Sequence, residues 1–398
     1  MRKYTYSKEI FQEQMDYIQV IFNQVINFSE QIDLTLFTNT EKPEEIPQVA
    51  AVISELQQLK LYLDSRWKFI GTAHISLLFT ELAHLKFDYF QQKALSLQKC
   101  LLNHCTSYLS HPSQRRYFNV SQVTAIFSAL PKLPINWQVH RMLLTQLLEL
   151  ANELSFDSKQ SVLLLGVFGK LFVDVKQYSS LILKLLNTAK NSQVSLNEIS
   201  VSQLWQFDMY VKNKPEESKA SFISEMEAVL IKYQMTVAAA ERTEKDNKTS
   251  FFQKTITNII ASFLMDKTTE KMQREYLVGA YTLDIAFPEE KVNLEVDGIF
   301  HYRGKELRRV DKFRDFLLSE NEWIIIRIPW FECPVADKFA TPMAYQQTLR
   351  NYVLIKVMHT PLVKLFNAAT RQLIEELKTP PNGHLQPLRQ EQFNRKFE

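Results

Sequence analysis

The sequence predicts a mostly α-helical protein, in which an N-terminal α-helical repeat array (a solenoid) is followed by a small α/β domain. Through most of residues 8–233, apolar residues recur at three- and four-residue steps, which is typical of amphipathic helices. Glycine is scarce, with 7 residues in a chain of 398, and this argues against a large sheet protein with many tight turns. Strand-like sequence is confined to the stretch from Tyr276 to Pro329.

The composition is that of an ordinary globular protein, with 45% hydrophobic and 23% charged residues. The formal net charge is only +3, so any contact with a polyanion must be made by a local patch. The three cysteines form no disulfide framework and predict a reducing compartment. We therefore expect an intracellular protein, cytoplasmic in a bacterium first, with an organelle or delivery into a host cell as the other placements.

No part of the sequence predicts a membrane span. The best apolar run, Ser161 to Val173, is interrupted by Lys170 and falls short of the roughly 18 residues that a span requires. The N-terminal segment carries acidic residues early and has no apolar core, unlike a signal peptide. We therefore expect no membrane partner.

The helical region contains segments that look like copies of one unit. Each begins with polar residues, with Ser or Asp near the helix start, and then turns strongly apolar: FNVSQVTAIFSALPKL (118–133), FDSKQSVLLLGVFGKL (156–171) and LNEISVSQLWQF (196–207). Leu133 and Leu171 end the first two copies, so the period is about 38 residues, as in two-helix repeats. Second helices are predicted at 139–154 and 178–190, and a weaker copy at 75–105. The alternative is a non-repeating bundle, but such units cannot bury their apolar faces without stacked neighbours.

These patterns predict five regions. They are a helical repeat domain (1–234), linking helices (235–270), an α/β domain (271–360), a C-terminal helix (361–378) and a disordered tail (379–398). Within the repeat domain, Cys100, His104 and Cys105 are close in sequence, and a metal site there is a minor alternative. No second ligand pair follows at zinc spacing, so we interpret them as part of an amphipathic helix.

Acidic residues interrupt the strand-like segment. Glu295 and Asp297 lie on one face of a strand because side chains alternate along it, and a hairpin turn at 288–290 would bring Asp284 near that face. Three converging carboxylates repel each other unless a cation neutralises them, and oxygen ligands suit Mg²⁺. The pattern therefore predicts a Mg²⁺ site at these three residues, with His301 nearby as an acid or base.

The order of these residues resembles a RAP domain over Tyr276 to Cys333: Asp284, then EVDG (295–298), then His301, then a strand ending in Ile328, Pro329 and Trp330. RAP domains have a restriction-endonuclease-like, PD-(D/E)XK fold and are similar to very-short-patch-repair-type endonucleases. The upstream helices resemble those of the octotricopeptide-repeat and Fas-activated serine/threonine kinase-like families, which carry a C-terminal RAP domain. The resemblance implies an RNA-binding protein that acts in RNA processing, stability or translation.

Catalysis is less strongly implied than RNA binding. Related nucleases carry Glu-x-Lys, whose Lys polarises the attacking water, but Asp297 occupies that position here. Lys312 or Lys305, from the following helix, is the candidate replacement. The alternative is that the carboxylates form a residual acidic cluster whose hydrogen bonds hold the strand ends and a helix N-terminus. We favour a binding domain over an active endonuclease.

The stretch RGKELRRVDKFR (303–314) is basic with interleaved acids and is the main candidate for phosphate contacts. The alternative is a solvated helix face on which Glu306 pairs with Arg309 and Asp311 with Arg314. The predicted RNA-binding residues are Arg303, Lys305, Arg308, Arg309, Lys312, Arg314, Arg327 and Trp330. Arg115, Arg116, Arg141 and Lys170 are weaker candidates in the repeat region.

Three functions are therefore predicted, in decreasing order. The first is single-stranded RNA binding along the repeats, with the RAP domain engaging an RNA end or structure. The second is a Mg²⁺-dependent endonuclease. The third is a solenoid that binds protein partners, including one delivered into another cell by a bacterium.

Overall fold

The computed structural model describes residues 8–32, 42–85, 88–133, 140–191, 198–214, 224–229, 250–279, 281–298, 301–303, 305–335 and 339–378. In these ranges the protein is mostly helical and has a small four-stranded mixed sheet near its C-terminal end. None of the helices in these ranges is long and apolar enough to cross a bilayer. The predicted disordered tail and residues 235–249 of the predicted linking helices lie outside the described ranges.

The described residues form two compact units, one from 8–229 with 301–320 and the other from 250–298 with 321–378. The helices of the first unit are α1 Lys8–Glu30, α2 Pro47–Asp64, α3 Thr72–His84, α4 Asp88–Lys93, α5 Leu95–Ser110, α6 Pro112–Arg115, α7 Val120–Ala129, α8 Arg141–Glu153, α9 Ser158–Lys170, α10 Ser179–Asn191 and α11 Glu198–Lys212. The second unit adds α12 Phe251–Phe263. The division cuts through the predicted RAP domain, because residues 301–320 pack with the helical unit.

The predicted helix pairs α7–α8 and α9–α10 are present and lie one period apart, whereas the upstream copy lies further away and its predicted second helix (90–105) is divided between α4 and α5. Both boundaries of α10 lie one predicted period beyond the matching boundaries of α8. The N-caps of α7 and α9, Asn119 and Asp157, are separated by the same interval, and both form a capping box. Asp157 accepts from the Gln160 amide at 2.8 Å, while the Gln160 side chain accepts from the Asp157 amide at 3.0 Å. Helix starts are therefore fixed locally by matching sequence.

The helices of this unit pack in two rows. Helices α3, α7, α9 and α11 pack in that order in one row, and α5, α8 and α10 pack in the other. Matching side chains link neighbours in the second row: Gln146 of α8 donates to Ser110 Oγ at the end of α5 at 2.8 Å. Lys184 of α10, one period after Gln146, donates to the carbonyls of Asn152 and Leu154 at the end of α8. The lysine thereby satisfies carbonyl groups that a helix end leaves open.

Residues 301–320 contribute a short hairpin and a helix to the helical unit. Strands β4 (Tyr302–Arg303) and β5 (Glu306–Leu307) pair antiparallel, and helix α13 (Arg309–Glu320) follows. Helix α13 packs on α9 and α11 through Phe313, whose ring lies 5.6 Å from that of Phe172. The close approach depends on Gly169 of α9, where a Cβ would lie 2.9 Å from Phe313 Cζ.

The second unit is a four-stranded sheet with helices. Its strands are β1 Gln273–Val278, β2 Tyr281–Phe287, β3 Val292–Asp297 and β6 Ile324–Pro329, and its later helices are α14 Pro342–Val357 and α15 Ala368–Lys378. The sheet order is β1-β2-β3-β6, antiparallel except for the parallel pair β3–β6. Apolar residues of β2, β3 and β6 form one core with α12 and α14.

Two predicted elements of this unit are divided. The strand predicted from Tyr276 to Phe287 is two strands, β1 and β2, because Gly279 turns the chain with a positive φ of 58°. The helix predicted at 362–377 begins only at Ala368. Phe366 is extended and bridges Leu264, and the Asn367 side chain then caps α15 by accepting from the Thr370 amide.

Candidate functional site

The predicted acidic residues lie at the adjoining ends of β2 and β3. The expected hairpin is present, and its antiparallel pairing runs from Phe287 opposite Val292 to Ile285 opposite Leu294. Just beyond the last pair, Asp284 Oδ2 accepts a hydrogen bond from the Val296 amide at 2.8 Å. A side-chain carboxylate thus replaces a carbonyl acceptor where the two strands part.

The two acidic side chains of β3 are buried and engaged. Glu295 is 2% exposed and accepts from the Asn293 side-chain amide at 2.5 Å. Asp297 is 1% exposed and accepts from Arg327 Nη1 at 2.6 Å. The parallel pairing of β3 and β6 places Arg327 opposite Glu295, so its side chain shares the face of the two acids and reaches Asp297.

These contacts fit an ion pair and hydrogen-bond network better than a Mg²⁺ site. The Arg327 guanidinium donates to Asp297 Oδ1 and places a positive charge beside that carboxylate, which reduces the need for a cation there. Within the described ranges, no three His, Cys, Asp or Glu side chains are grouped so that they could hold a metal ion. The Mg²⁺ site at Asp284, Glu295 and Asp297 stays a prediction.

His301, the predicted acid or base, and the candidate lysines Lys305 and Lys312 lie in the helical unit. His301 Nδ1 is 2.9 Å from Asp311 Oδ1, and Asp311 is buried in the first turn of α13. Lys312 donates to Glu306 at 2.7 Å. Lys305 lies in the exposed turn between β4 and β5. His301, Lys305 and Lys312 thus belong to the helical unit, whereas the three carboxylates belong to the sheet unit.

Helix α13 positions most of the predicted RNA-binding residues. Its apolar face, with Phe313, Leu317 and Leu318, is buried. The basic residues on and just before it are half-buried: Arg308, Arg309, Lys312 and Arg314. Because the apolar face anchors the helix, these cations are held in fixed positions along it.

The remaining predicted RNA contacts are placed differently. Arg327 is occupied by Asp297, and its side chain is only 12% exposed. Trp330 is half-buried, with its ring edge-on to Phe331 at 5.8 Å. The side chain of Arg303 lies outside the described part of the structure. The strongest remaining candidates are therefore the basic residues of 305–314.

Cys105 and His104 are built into the helix packing of the first unit. Cys105 is buried, and burial raises the pKa of its thiol. A ring nitrogen of His104 lies 3.2 Å from the Ile70 carbonyl, and the ring packs against Trp67. These surroundings are those of an amphipathic helix, as the sequence indicates.

The sequence does not reveal three contacts of the predicted site residues: Asn293 with Glu295, Asp311 with His301, and Arg327 with Asp297. Strand alternation places Asn293 on the face of Glu295, so this signal was present. Arg327 required the register of a parallel pair that residue order does not give. The helical spacing of Asp311 favours Arg314 as its partner, and nothing in the residue order indicates the contact with His301.

Neither a family model nor a curated protein matches this chain. The RAP-like interpretation therefore rests on the residue pattern and stays a prediction.

Proposed function

We propose that this chain is an RNA-binding protein, with an α-solenoid of evenly spaced helix pairs and a RAP-like domain of restriction-endonuclease-like fold that binds without cutting. The observation that carries the proposal is helix α13. It presents Arg308, Arg309, Lys312 and Arg314 within a few residues, while Phe313 anchors it to the paired helices. Several basic residues close together beside packed helix pairs suit contacts with a phosphate backbone.

The even spacing of α7 to α10 supports the solenoid. Equivalent capping boxes recur after one period, and so do the positions of Gln146 and Lys184, which each donate to the preceding helix of their row. Such an array offers an extended surface to a linear ligand. The ion pair of Arg327 with Asp297 supports binding rather than cleavage, because it engages the residue at the usual lysine position.

Fluorescence anisotropy with labelled single-stranded and structured RNA tests RNA binding. Lys305→Glu combined with Lys312→Glu should weaken binding at least tenfold and reduce the slope of log K against log salt by about 2. Lys254→Glu, an exposed lysine of α12, is the matched control. Absence of salt-sensitive RNA binding by the unmodified protein would contradict the proposal.

A Mg²⁺-dependent endonuclease is the second candidate, favoured by the position of Asp284, Glu295 and Asp297 on the paired strands β2 and β3, with Asp284 bonded to the Val296 amide between the two acids of β3. It predicts cleavage of RNA or DNA that requires Mg²⁺ or Mn²⁺ and is lost in Asp297→Asn. If the purified protein leaves both nucleic acids intact with either metal, this candidate fails.

A further inference from the structure

A groove of about 490 Å³ is lined by the end of α5, by α6 and by one face of α8, all within the helical unit. Its volume is in the range of sites that hold small ligands, about 300–1,000 Å³. The residues of α8 that line it come at three- and four-residue steps, so they share one face of that helix. The polar lining consists of Ser110, Arg115, Arg116, Gln146, Glu149 and Glu153.

The charged side chains of this groove balance each other. Arg115 Nη1 donates to Glu149 Oε2 at 3.4 Å, and Arg115 Nη2 donates to Glu153 Oε1 at 2.8 Å. With Arg116, the lining has two cations and two carboxylates, so its formal charge is zero. A phosphate gains little from such a lining, whereas a neutral group that both donates and accepts hydrogen bonds suits it.

The lining residues have hydrogen-bonding capacity that the described part of the chain leaves unused. Gln146 donates to Ser110 Oγ at 2.8 Å, but Gln146 Oε1 and Arg115 Nε are buried without a partner among the described residues. Glu149 and Glu153 each bond Arg115 through one oxygen and are 54% and 63% exposed, so their second oxygens remain available to a ligand. Because buried polar groups nearly always have a partner, these atoms point to a ligand that offers both donors and acceptors.

A stacking surface adjoins the groove. Arg116, which lines it, has its guanidinium 5.2 Å from the ring centroid of Tyr117 and donates to the Tyr117 hydroxyl at 3.4 Å. Tyr117 is 59% exposed, which is unusual for so large a side chain. Guanidinium planes and aromatic rings are the surfaces on which unpaired nucleic-acid bases stack. A base that stacks here can direct its hydrogen-bonding edge into the groove.

We propose that this groove binds the edge of a guanine base. Guanine has two adjacent N–H donors, at N1 and the 2-amino group, which suit the carboxylates of Glu149 and Glu153, and its O6 and N7 accept from arginine. Adenine, cytosine and uracil do not offer two adjacent donors on this edge. The base belongs to an unpaired residue of an RNA strand, so the site deepens the proposed function and rests on it for that assignment. A free guanine nucleotide offers the same edge, and the experiment separates the two sources.

Fluorescence anisotropy of the full chain with labelled oligouridines that carry one central guanosine, inosine or adenosine is the first test. The unmodified protein should bind the guanosine strand at least about fivefold more tightly than the adenosine strand, because only guanosine presents both donors to the carboxylates. The inosine strand, which lacks the 2-amino group, should bind more weakly than the guanosine strand. Equal affinity for the three strands would overturn the guanine site.

Glu149→Gln combined with Glu153→Gln should reduce the preference for guanosine over adenosine to below about twofold, because a neutral acceptor binds an N–H more weakly than a carboxylate does. The ratio of the two affinities is the measured quantity, since the loss of two negative charges strengthens the binding of every RNA alike. Glu13→Gln combined with Glu30→Gln, two exposed positions of α1, is the matched control for charge and should keep the preference. An unchanged preference in the first double variant would overturn the site.

Calorimetric titration with guanosine and adenosine 5′-monophosphates separates this site from the proposed function. If the unmodified protein binds the guanosine nucleotide in preference to the adenosine nucleotide but binds no RNA, the guanine site stands and the proposed function fails. If it binds RNA in a salt-sensitive way without a preference for guanosine, the proposed function stands and the guanine site is overturned. If the nucleotide preference is lost in the Glu149→Gln, Glu153→Gln variant while RNA binding shows no preference in either protein, the groove takes a free nucleotide and its assignment to RNA is overturned.

Discussion

The pair Arg327–Asp297 is the most consequential contact at the scale of single residues. The Asp297 side chain is 1% exposed and that of Arg327 12%, so neither charge is well solvated. The cost of burying both charges offsets much of their attraction, and the pair by itself is weak evidence for stability. Losing one member is different, because the other charge remains buried and unpaired.

Arg327→Leu should therefore destabilise the protein by about 3–5 kcal/mol, whereas Arg327→Leu with Asp297→Leu should cost clearly less than the sum of the two single changes. Urea unfolding of the four proteins gives the coupling energy. The exposed pair Lys42–Glu45 provides the control, with an expected coupling of at most about 1 kcal/mol. If the losses of stability in the two single variants add up to the loss in the double variant, the ion pair between β3 and β6 contributes nothing to stability.

His74 gives a pH dependence of stability. It is 0% exposed, the Gly71 amide donates to its Nδ1 at 3.3 Å, and burial lowers its pKa. Above about pH 6.5 the imidazole is neutral in the folded and unfolded states, so it adds no slope. Below that pH, His74 takes up a proton in the unfolded chain but stays neutral in the folded protein. The free energy of unfolding therefore falls by up to about 1.4 kcal/mol for each pH unit.

His74→Gln should flatten the loss of stability between pH 6.5 and 5, because glutamine at this position still accepts from the Gly71 amide without titrating. Urea midpoints across this pH range measure the effect. His84→Gln, at the exposed end of the same helix, is the matched control. If the free energy of unfolding of His74→Gln depends on pH as steeply as that of the unmodified protein, His74 is not the cause of the loss. Part of the pH dependence should remain in this variant, because burial also lowers the pKa of His104.

The candidate site was partly predictable at this scale. Strand alternation placed Glu295 and Asp297 on one face, and the hairpin brought Asp284 to its edge, as the bond to Val296 shows. The counter-charge of Asp297 is not predictable from residue order, which favours Arg327 only as an RNA contact. Only the parallel register of β3 and β6, a contact between residues about 30 positions apart, makes it a partner of Asp297.

At the scale of elements, the packing of α13 on α9 depends on a glycine, Gly169, which leaves room for the ring of Phe313. Gly169→Ala would place a Cβ 2.9 Å from Phe313 Cζ, and the neighbouring rings of Phe172 and Tyr210 limit how far Phe313 can move. Alanine favours a helix by roughly 1 kcal/mol, yet overpacking costs about 1–3 kcal/mol.

Gly169→Ala should therefore be destabilising overall by chemical denaturation. Phe313→Leu in the Gly169→Ala background should restore part of the loss, because the smaller side chain relieves the clash. Gly298→Ala is the control, since nothing lies within 4 Å of a Cβ there. A stabilising Gly169→Ala would mean that α13 does not pack against this part of α9.

Helix boundaries were the most predictable part of the fold. Sequence patterns at 139–154 and 178–190 match α8 and α10 closely, because local capping and amphipathic spacing decide where such helices form. The sequence pattern predicts a helix that includes Phe366. A β-bridge to Leu264, about 100 residues earlier in the chain, instead holds the Phe366 backbone extended. Contacts over such distances leave no periodic trace in the sequence.

At the scale of the whole molecule, α13 should unfold with the helical unit. Its apolar side packs on α9 and α11, so their amides share one cooperative opening. Hydrogen exchange in mild denaturant should give α13 the same opening free energy as α9 and α11. Phe313→Ala should lower protection in α13, α9 and α11 more than in β1–β3. Exchange of α13 together with the strands would contradict this assignment.

The parallel partner of β3 is made late in synthesis. β3 ends at Asp297 and β6 begins at Ile324, and residues 301–320 between them belong to the helical unit. At about 5–20 residues per second, a ribosome takes roughly one to five seconds to produce the segment between them. Until β6 is made, β3 lacks its parallel partner, and Asp297 lacks the guanidinium of Arg327. Charged residues on an unpaired strand disfavour edge-to-edge association, so Glu295 and Asp297 are expected to oppose pairing of β3 with another chain whenever β6 is not in place.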